Sequence, residues 1–261
     1  LRKKNQALQA ERAELLRAHG YPENALEDIP ICAACGDSGW CGTTMCNCLK
    51  ALCTEEQIAE LSSLLDLGEQ SFSKFRFDFY DPPYRPRMER IFDICKDYAK
   101  NFGHTTVRNL FLCGGTGLGK TFLSACIARD VSTEGYSVVY DTAGSIFARF
   151  EEQKFSKDEN DAREARSFTR KYLRCDLLIL DDLGSELTTP FVQSALYQVV
   201  NTRMTERRHT VISSNLTMAE VRARYTPQIV SRLDGEYQIL PFEGRDIRLI
   251  KNRIQKTTPY D

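Results

Sequence analysis

Apolar positions in this chain fall into short dense runs separated by longer amphipathic stretches, the alternation expected of strands packed between helices. The run Leu110-Phe111-Leu112-Cys113 is bounded by glycine. The run Tyr136-Ser137-Val138-Val139-Tyr140 is β-branched and aromatic. Leu177-Leu178-Ile179-Leu180 ends in two carboxylates, Asp181 and Asp182. Residues 209–215 form a fourth strand-like run that ends in the amide of Asn215. All four read as strands. Residues 122–129, 143–168 and 188–208 read as the intervening helices, the last beginning near Pro190, a residue that suits a first helical turn. Upstream, residues 54–67 and 87–102 also read as helices. Residues 1–20 place Leu8, Leu15 and Leu16 at helical spacing among charges. Such a segment is a solvated amphipathic helix or a partner-binding coiled coil, though it is shorter than the three or four heptads a coiled coil wants. Its pattern is already under way at Leu1, so more of a helical domain is expected upstream.

The first strand runs into a turn with a recognisable chemistry. Gly114-Gly115-Thr116-Gly117-Leu118-Gly119-Lys120-Thr121 fills every position of the phosphate-binding loop G-x-x-x-x-G-K-T, between a strand and a helix as that motif requires. Glycines let the backbone turn and bring its N–H groups against phosphate oxygens. The helix N-terminus adds partial positive charge. Lys120 is expected to reach the β- and γ-phosphates of ATP, and the Thr121 hydroxyl to ligate Mg2+. At the tip of the third strand Asp181 is placed to hold the same ion, and Asp182 to orient or deprotonate a water.

Composition changes this picture little. Of 261 residues 42% are hydrophobic and 27% charged, ordinary values for a globular protein, and the net charge is −1. There is thus no global electrostatic pull toward DNA or membrane, and a nucleic-acid contact needs a local patch. No apolar run is long enough to span a bilayer and no signal-peptide pattern is present, which with a nucleotide motif points to the cytoplasm and no membrane partner. Residues 71–84 interleave Phe72, Phe75, Phe77, Phe79 and Tyr80 with Lys74 and Arg76. They either stack on single-stranded nucleic acid or pin a linker to the next domain.

The chain has ten cysteines. Cys95, Cys113, Cys126 and Cys175 lie in apolar contexts and read as small buried hydrophobes. The others crowd between residues 32 and 53. Cys32-x-x-Cys35 and Cys46-x-Cys48 offer four thiolates, a donor set suited to structural Zn2+, with Cys41 and Cys53 left over. A metal could fold a segment too short to build its own core. Free thiols or a redox pair are the alternatives, the latter lacking a βαβ setting.

The order strand–phosphate loop–helix, strand, strand–Asp-Asp, strand–Asn resembles the AAA+ ATPases. The sequences LLILDDLG at 177–184, TVISSNL at 210–216, IVSRL at 229–233 and GRDIR at 244–248 resemble the DnaC/DnaI-type bacterial replicative helicase loaders, which are related to the IstB transposition ATPases. Residues 32–50 are similar to the cysteine segment of loaders from Gram-positive lineages, with Ser38 in place of a threonine and Cys41 extra. The resemblance implies an α/β AAA+ P-loop fold, a parallel sheet between helices, over residues 71–261. A cysteine-rich zinc module at 31–70 and the end of a helical domain at 1–30 would precede it. It implies Asn215 as sensor 1 and Arg232 as an arginine finger acting on a neighbouring subunit's ATP. Arg248, with Arg245 as the alternative, would be sensor 2. It further implies a replicative hexameric helicase and single-stranded DNA as partners, and ATP-dependent self-association in a spiral or ring. Residues 143–168, with Phe147, Arg149, Phe150 and Lys154, are where DNA contact is expected if that helix is more than amphipathic. A transposase-assisting ATPase and a non-hydrolysing DNA-binding adaptor are the competing expectations.

Overall fold

The glycine-bounded run at 110–113 becomes the inner strand of a sheet. In the computed structural model, which describes residues 2–22, 30–65 and 70–250, β3 (Asn109–Cys113) is buried along its whole length. It lies between β6 (His209–Ser214) and β7 (Gln238–Pro241), with β5 (Leu177–Leu183) and β4 (Val138–Thr142) beyond β6. The order is β4-β5-β6-β3-β7 and every pairing is parallel. Parallel strands covered on both faces need apolar side chains on both, which explains runs without polar alternation. Leu110 and Leu112 point into one core layer and Phe111 into the other, as the period of two requires.

Helices supply the layers. On the Leu110 side lie α3 (Arg85–Lys100) and α4 (Lys120–Thr133), with Met88, Ile91, Leu123 and Ile127 buried. On the Phe111 side lie α5 (Ala143–Phe155), α6 (Glu159–Arg174), α7 (Pro190–Thr205), α8 (Met218–Arg224) and α9 (Pro227–Glu236). The sequence pattern misses β7, a four-residue strand that ends at Pro241. It also runs residues 143–168 together as one helix, whereas the structure breaks them. The α5 helix stops at Phe155, and Asp158 caps α6, its Oδ1 accepting from Asn160 N at 2.7 Å. An aspartate among charged residues gives no periodicity signal, so only the cap reveals the break.

Residues 72–80 form two short 3-10 turns, Phe72–Lys74 and Phe77–Phe79. Phe72 and Tyr80 are buried, and Phe75 packs on Tyr80, Phe92 and Phe122 at centroid distances of 5.9, 5.2 and 5.7 Å. Of the two readings for this aromatic stretch, pinning to the domain is the one the packing follows.

The chain divides into two compact units, Leu1–Leu52 and Cys53–Asp261. The first contains α1 (Arg2–Ala18), whose Leu8 and Leu15 are exposed, and a small antiparallel hairpin, β1 (Trp40–Cys41) with β2 (Thr44–Met45). Helix α2 (Asn47–Leu65) begins inside the cysteine segment, earlier than the pattern at 54–67 predicts; the expected end at Leu67 lies outside the described residues. No helix among the described residues is long and apolar enough to cross a membrane.

Candidate nucleotide site and thiolate cluster

The loop after β3 closes on itself through its glycines. Gly114 has φ 130°, and a Cβ there would stand 2.3 Å from the Phe242 carbonyl oxygen, a backbone atom with nowhere to go. Gly119 has φ 90°, and a Cβ would stand 2.9 Å from the Tyr80 hydroxyl, which itself donates to Leu118 O at 2.7 Å. Both positions therefore need glycine. The loop delivers Lys120 and Thr121 to the first turn of α4. Lys120 is 5% exposed, and its Nζ donates to Gly114 O at 2.8 Å and Gly115 O at 2.6 Å. Burial pushes the Lys120 ammonium down to about 8, against the opposing pull of Asp181 and Asp182.

Asp181 and Asp182 sit on a bulge. Leu180 pairs with Ile212 and Leu183 with Ser214, so two residues of β5 oppose the single residue Ser213. Asp182 takes the left-handed conformation there, φ 59°. Asp181 is 7% exposed and held by three hydroxyls. Tyr140 donates to Oδ2 at 2.7 Å, Thr121 stands 3.2 Å from the same oxygen, and Ser213 bonds Oδ1. Burial, then the charge of Asp181, drives the Tyr140 phenol well above its ordinary pKa, so it keeps its proton and can donate to the carboxylate. Asp182 Oδ1 accepts from the Asn215 amide, and its backbone N–H donates to Ser213 Oγ at 3.1 Å. Tyr140 and Ser213 carry no motif, and sequence reading passes over both. Ser213 opposes Asp182 only because β5 and β6 are neighbours.

These groups line one cavity of about 570 Å³, a size suited to a nucleotide. Thr116, Gly117, Leu118 and Gly119 form its floor; Phe75, Phe79, Tyr80 and Ile247 add an apolar wall. Arg248 lines it as well. Arg245 does not; it pairs with Asp81, Nε to Oδ2 at 2.8 Å. The segment bearing both is docked on the loop, Ile247 N–H donating to Gly117 O at 2.9 Å. Arg232 lies elsewhere, on α9, its guanidinium 5.0 Å over the Tyr197 ring and donating to the Tyr197 hydroxyl at 2.9 Å. Arg253, the last arginine of this tail, lies outside the described residues.

The other cluster fits a metal. The Sγ atoms of Cys32, Cys35, Cys46 and Cys48 all lie within 4.8 Å of one another. Cys32 to Cys46 is 3.7 Å and Cys35 to Cys48 is 3.4 Å. A tetrahedral zinc–thiolate site has sulfur–sulfur edges of roughly 3.8 Å. Asp37 shapes the knuckle by accepting from the backbone N–H groups of Ile31 at 3.0 Å and Cys32 at 2.8 Å. The crowded thiols hold unlike pKa values. A backbone hydrogen bond at Cys48 keeps Cys46 below the usual thiol range, while the contact with Cys35 pushes Cys48 up to about 12. A divalent cation would let all four ionise. Cys41 and Cys53 are exposed and stand outside the quartet.

Two of the four residues expected at a DNA contact are core residues. Phe147 and Phe150 are 3% and 6% exposed and belong to the core, so neither ring can stack on a base. Arg149 pairs with Glu152 at 2.9 Å and covers Phe168, while Lys154 sits over Phe155 and Phe191. The helical period put Phe147 and Phe150 on the side facing α7, which the sequence leaves unassigned.

The profile of the IstB-like ATP binding protein family matches residues 97–253, more than half of the chain. The chain belongs to the IstB-like ATP-binding family. The matched residues include the loop at 114–121 and the carboxylates at 181–182. The replicative helicase loader DnaI of Bacillus subtilis is 30% identical to this family member over 145 residues, 54% of this chain and 44% of that protein. The crystal structure of DnaI superposes with a TM-score of 0.54 at 21% identity, covering 70% of this chain and 93% of that one. AMPPCP-bound DnaA from Aquifex aeolicus gives 0.54 at 21% identity, covering 72% and 55%. These superpositions establish an AAA+ fold. The chain spans about half the length of the curated relatives it matches.

Proposed function

We propose that this IstB-like protein is an ATPase that loads a replicative hexameric helicase onto single-stranded DNA. The observation that carries this reading is the joint presence of a complete hydrolytic constellation and an upstream thiolate quartet. A transposition helper needs the first but not the second, and an adaptor that used ATP only as a ligand would need neither Asp182 nor Asn215. The similarity to the DnaI loader supports the same choice.

The proposed roles follow from chemistry. Gly114 to Thr121 cradle the phosphates through backbone N–H groups, and Lys120 neutralises β- and γ-charge. Thr121 and Asp181 would hold Mg2+, whose charge offsets that of the phosphates; hard oxygen donors suit it. Asp182 takes the proton from the attacking water, and Asn215 keeps the Asp182 carboxylate aimed. Arg248 reads the γ-phosphate from the docked C-terminal segment. Arg232, which lies outside the cavity, acts on a neighbouring subunit's ATP in a spiral or ring. Cys32, Cys35, Cys46 and Cys48 hold Zn2+. In this reading residues 71–261 are the motor, 31–70 the zinc module and 1–30 the end of a helical domain, in a cytoplasmic protein.

A subunit-mixing experiment tests the proposal. Arg232→Ala keeps its own loop, and Lys120→Ala keeps its arginine. Each alone should be inactive, and the mixture should regain turnover, because one intact site forms at a shared interface. Adding a replicative helicase and closed circular single-stranded DNA should then give ATP-dependent deposition of the helicase. Failure of both complementation and self-association sinks the loader reading. Complementation without deposition favours the transposition helper.

A further inference from the structure

The phosphate-loop pattern demands glycine at 114 and 119 and leaves 117 open. Gly117 nevertheless has φ 70°, and a Cβ on it would stand 1.9 Å from Asp246 Oδ1 and 2.2 Å from Asp246 Cγ. The space a side chain would take at the loop is thus filled by a carboxylate that arrives from beyond β7.

The stretch after β7 meets the loop twice. At its start Phe242 N–H donates to Cys113 O at 2.7 Å, just before Gly114. Further on, Ile247 N–H donates to Gly117 O at 2.9 Å. Two ion pairs, Arg87 with Glu243 and Arg245 with Asp81, flank these contacts. Both lie at the surface, where such pairs contribute little. The attachment therefore rests on the backbone contacts and on Asp246.

Asp246 also starts a helical turn. Its Oδ1 accepts from Arg248 N–H at 2.8 Å, and its carbonyl accepts from Ile250 N–H at 3.3 Å. Those are the two bonds of an N-cap residue. The capped turn carries Arg248, which lines the cavity. Burial pushes the Lys120 ammonium down, and the charge of Arg248 pushes the same way. Two cations thus face one cavity, one from the loop and one from the turn, an arrangement that a polyphosphate neutralises. Asp246 itself does not line the cavity, so it can act there only through Arg248.

We infer that Asp246 is a positioning residue: it fixes Arg248 against the phosphate loop and so sets the preference for a nucleoside triphosphate over the diphosphate. The inference rests on the proposed contact of Arg248 with the γ-phosphate. With the turn capped and seated on Gly117, the guanidinium stays at the cavity. Without the cap it is free to swing into solvent, and only the triphosphate loses a partner.

The test compares the affinities of the full chain for ADP and for a non-hydrolysable ATP analogue, each with Mg2+, by calorimetric titration. Arg248→Ala should cut the preference for the triphosphate about tenfold or more, the contribution of one charge-assisted hydrogen bond. Asp246→Ala should cut it to a similar degree and leave ADP affinity nearly unchanged. The double variant should lose no more than Arg248→Ala alone, since residues acting through one contact are not additive. Asp246→Asn keeps a capping oxygen and should restore the preference. Equal weakening of ADP and the triphosphate analogue in Asp246→Ala would make the residue a support of the loop alone and overturn the inference. It is overturned as well if Asp246→Ala keeps a preference that Arg248→Ala loses, if the losses in the double variant add, or if Asp246→Asn behaves like Asp246→Ala. A wild type without the preference, or an Arg248→Ala chain that retains it, overturns the γ-phosphate role beneath the inference, and the Arg248 variant by itself tells the two failures apart.

Discussion

The cavity at the phosphate loop and the thiolate quartet solve the same problem by opposite means. Each must hold like-charged or polar groups in a fixed geometry. The cavity is built on a core: Asp181 sits among three hydroxyls at the end of a strand whose residues Leu177 to Leu180 are fully buried. Each such buried side chain contributes about 1.5–3 kcal/mol, so the scaffold is stable whatever occupies the loop. The cysteine segment has almost no core. Of its four thiols only Cys46 belongs to a buried residue, and its strands are two residues long. There the ligand must supply the stability that packing supplies in the other unit.

The largest expected effect is therefore at the quartet. Purified protein should contain about one zinc per chain by elemental analysis. Cys46→Ser or a strong chelator should remove it and unfold residues 31–50, seen as collapse of amide dispersion in that segment, while the unit Cys53–Asp261 keeps its melting transition. Cys41→Ser should retain the metal. A Cys41→Ser chain that loses zinc beside a Cys46→Ser chain that keeps it would break the assignment.

At the phosphate loop and the Asp-Asp pair the expected losses are functional, with the fold intact. Lys120→Ala should abolish binding of a fluorescent ATP analogue or weaken it severely. Asp182→Asn should leave that binding largely unchanged and slow turnover by about a hundredfold or more, the contribution of a positioned general base. Normal binding by Lys120→Ala would contradict the comparison, since the scaffold would then be holding the wrong charge.

A subtler test addresses the hydroxyls around Asp181. Tyr140→Phe keeps the packing and removes one donor from the carboxylate. It should raise the Mg2+ concentration needed for half-maximal turnover about tenfold, as loss of an outer-shell partner does, and leave the melting temperature nearly unchanged. An unaltered Mg2+ requirement would make Tyr140 a packing residue only.

The smallest effect concerns His209, at the start of β6. Burial first, then the charges of Arg108 and Arg203, push its imidazole down to about 4. In the unfolded chain it titrates near 6.5. Between those values the unfolded state binds the extra proton, so stability is full above about pH 6.5 and declines as pH falls toward 4. Allowing for its partial exposure, the term is about 1 kcal/mol. Denaturant titrations at pH 4.5 and 7 should show His209→Gln losing that much less stability on acidification than wild type. Equal losses would show that the histidine is not the group responsible.

Much of this was legible in the sequence because the relevant information is local. The residues of the phosphate loop are consecutive, and their torsions follow from glycine content. Buried parallel strands announce themselves as unbroken apolar runs, and the pairs at Cys32 and Cys46 are visible as spacings. What the sequence left open depends on which strands become neighbours. Tyr140 reaches Asp181, and Asn215 reaches Asp182, only because β4, β5 and β6 lie side by side. Ser213 bonds both the Asp181 carboxylate and the Asp182 backbone N–H because it alone opposes the pair across a bulge. Periodicity places Phe147 and Phe150 on one face of α5 but does not say that the face is covered. Arg245 and Arg248 are equivalent in sequence, and docking of their segment turns one to Asp81 and the other into the cavity.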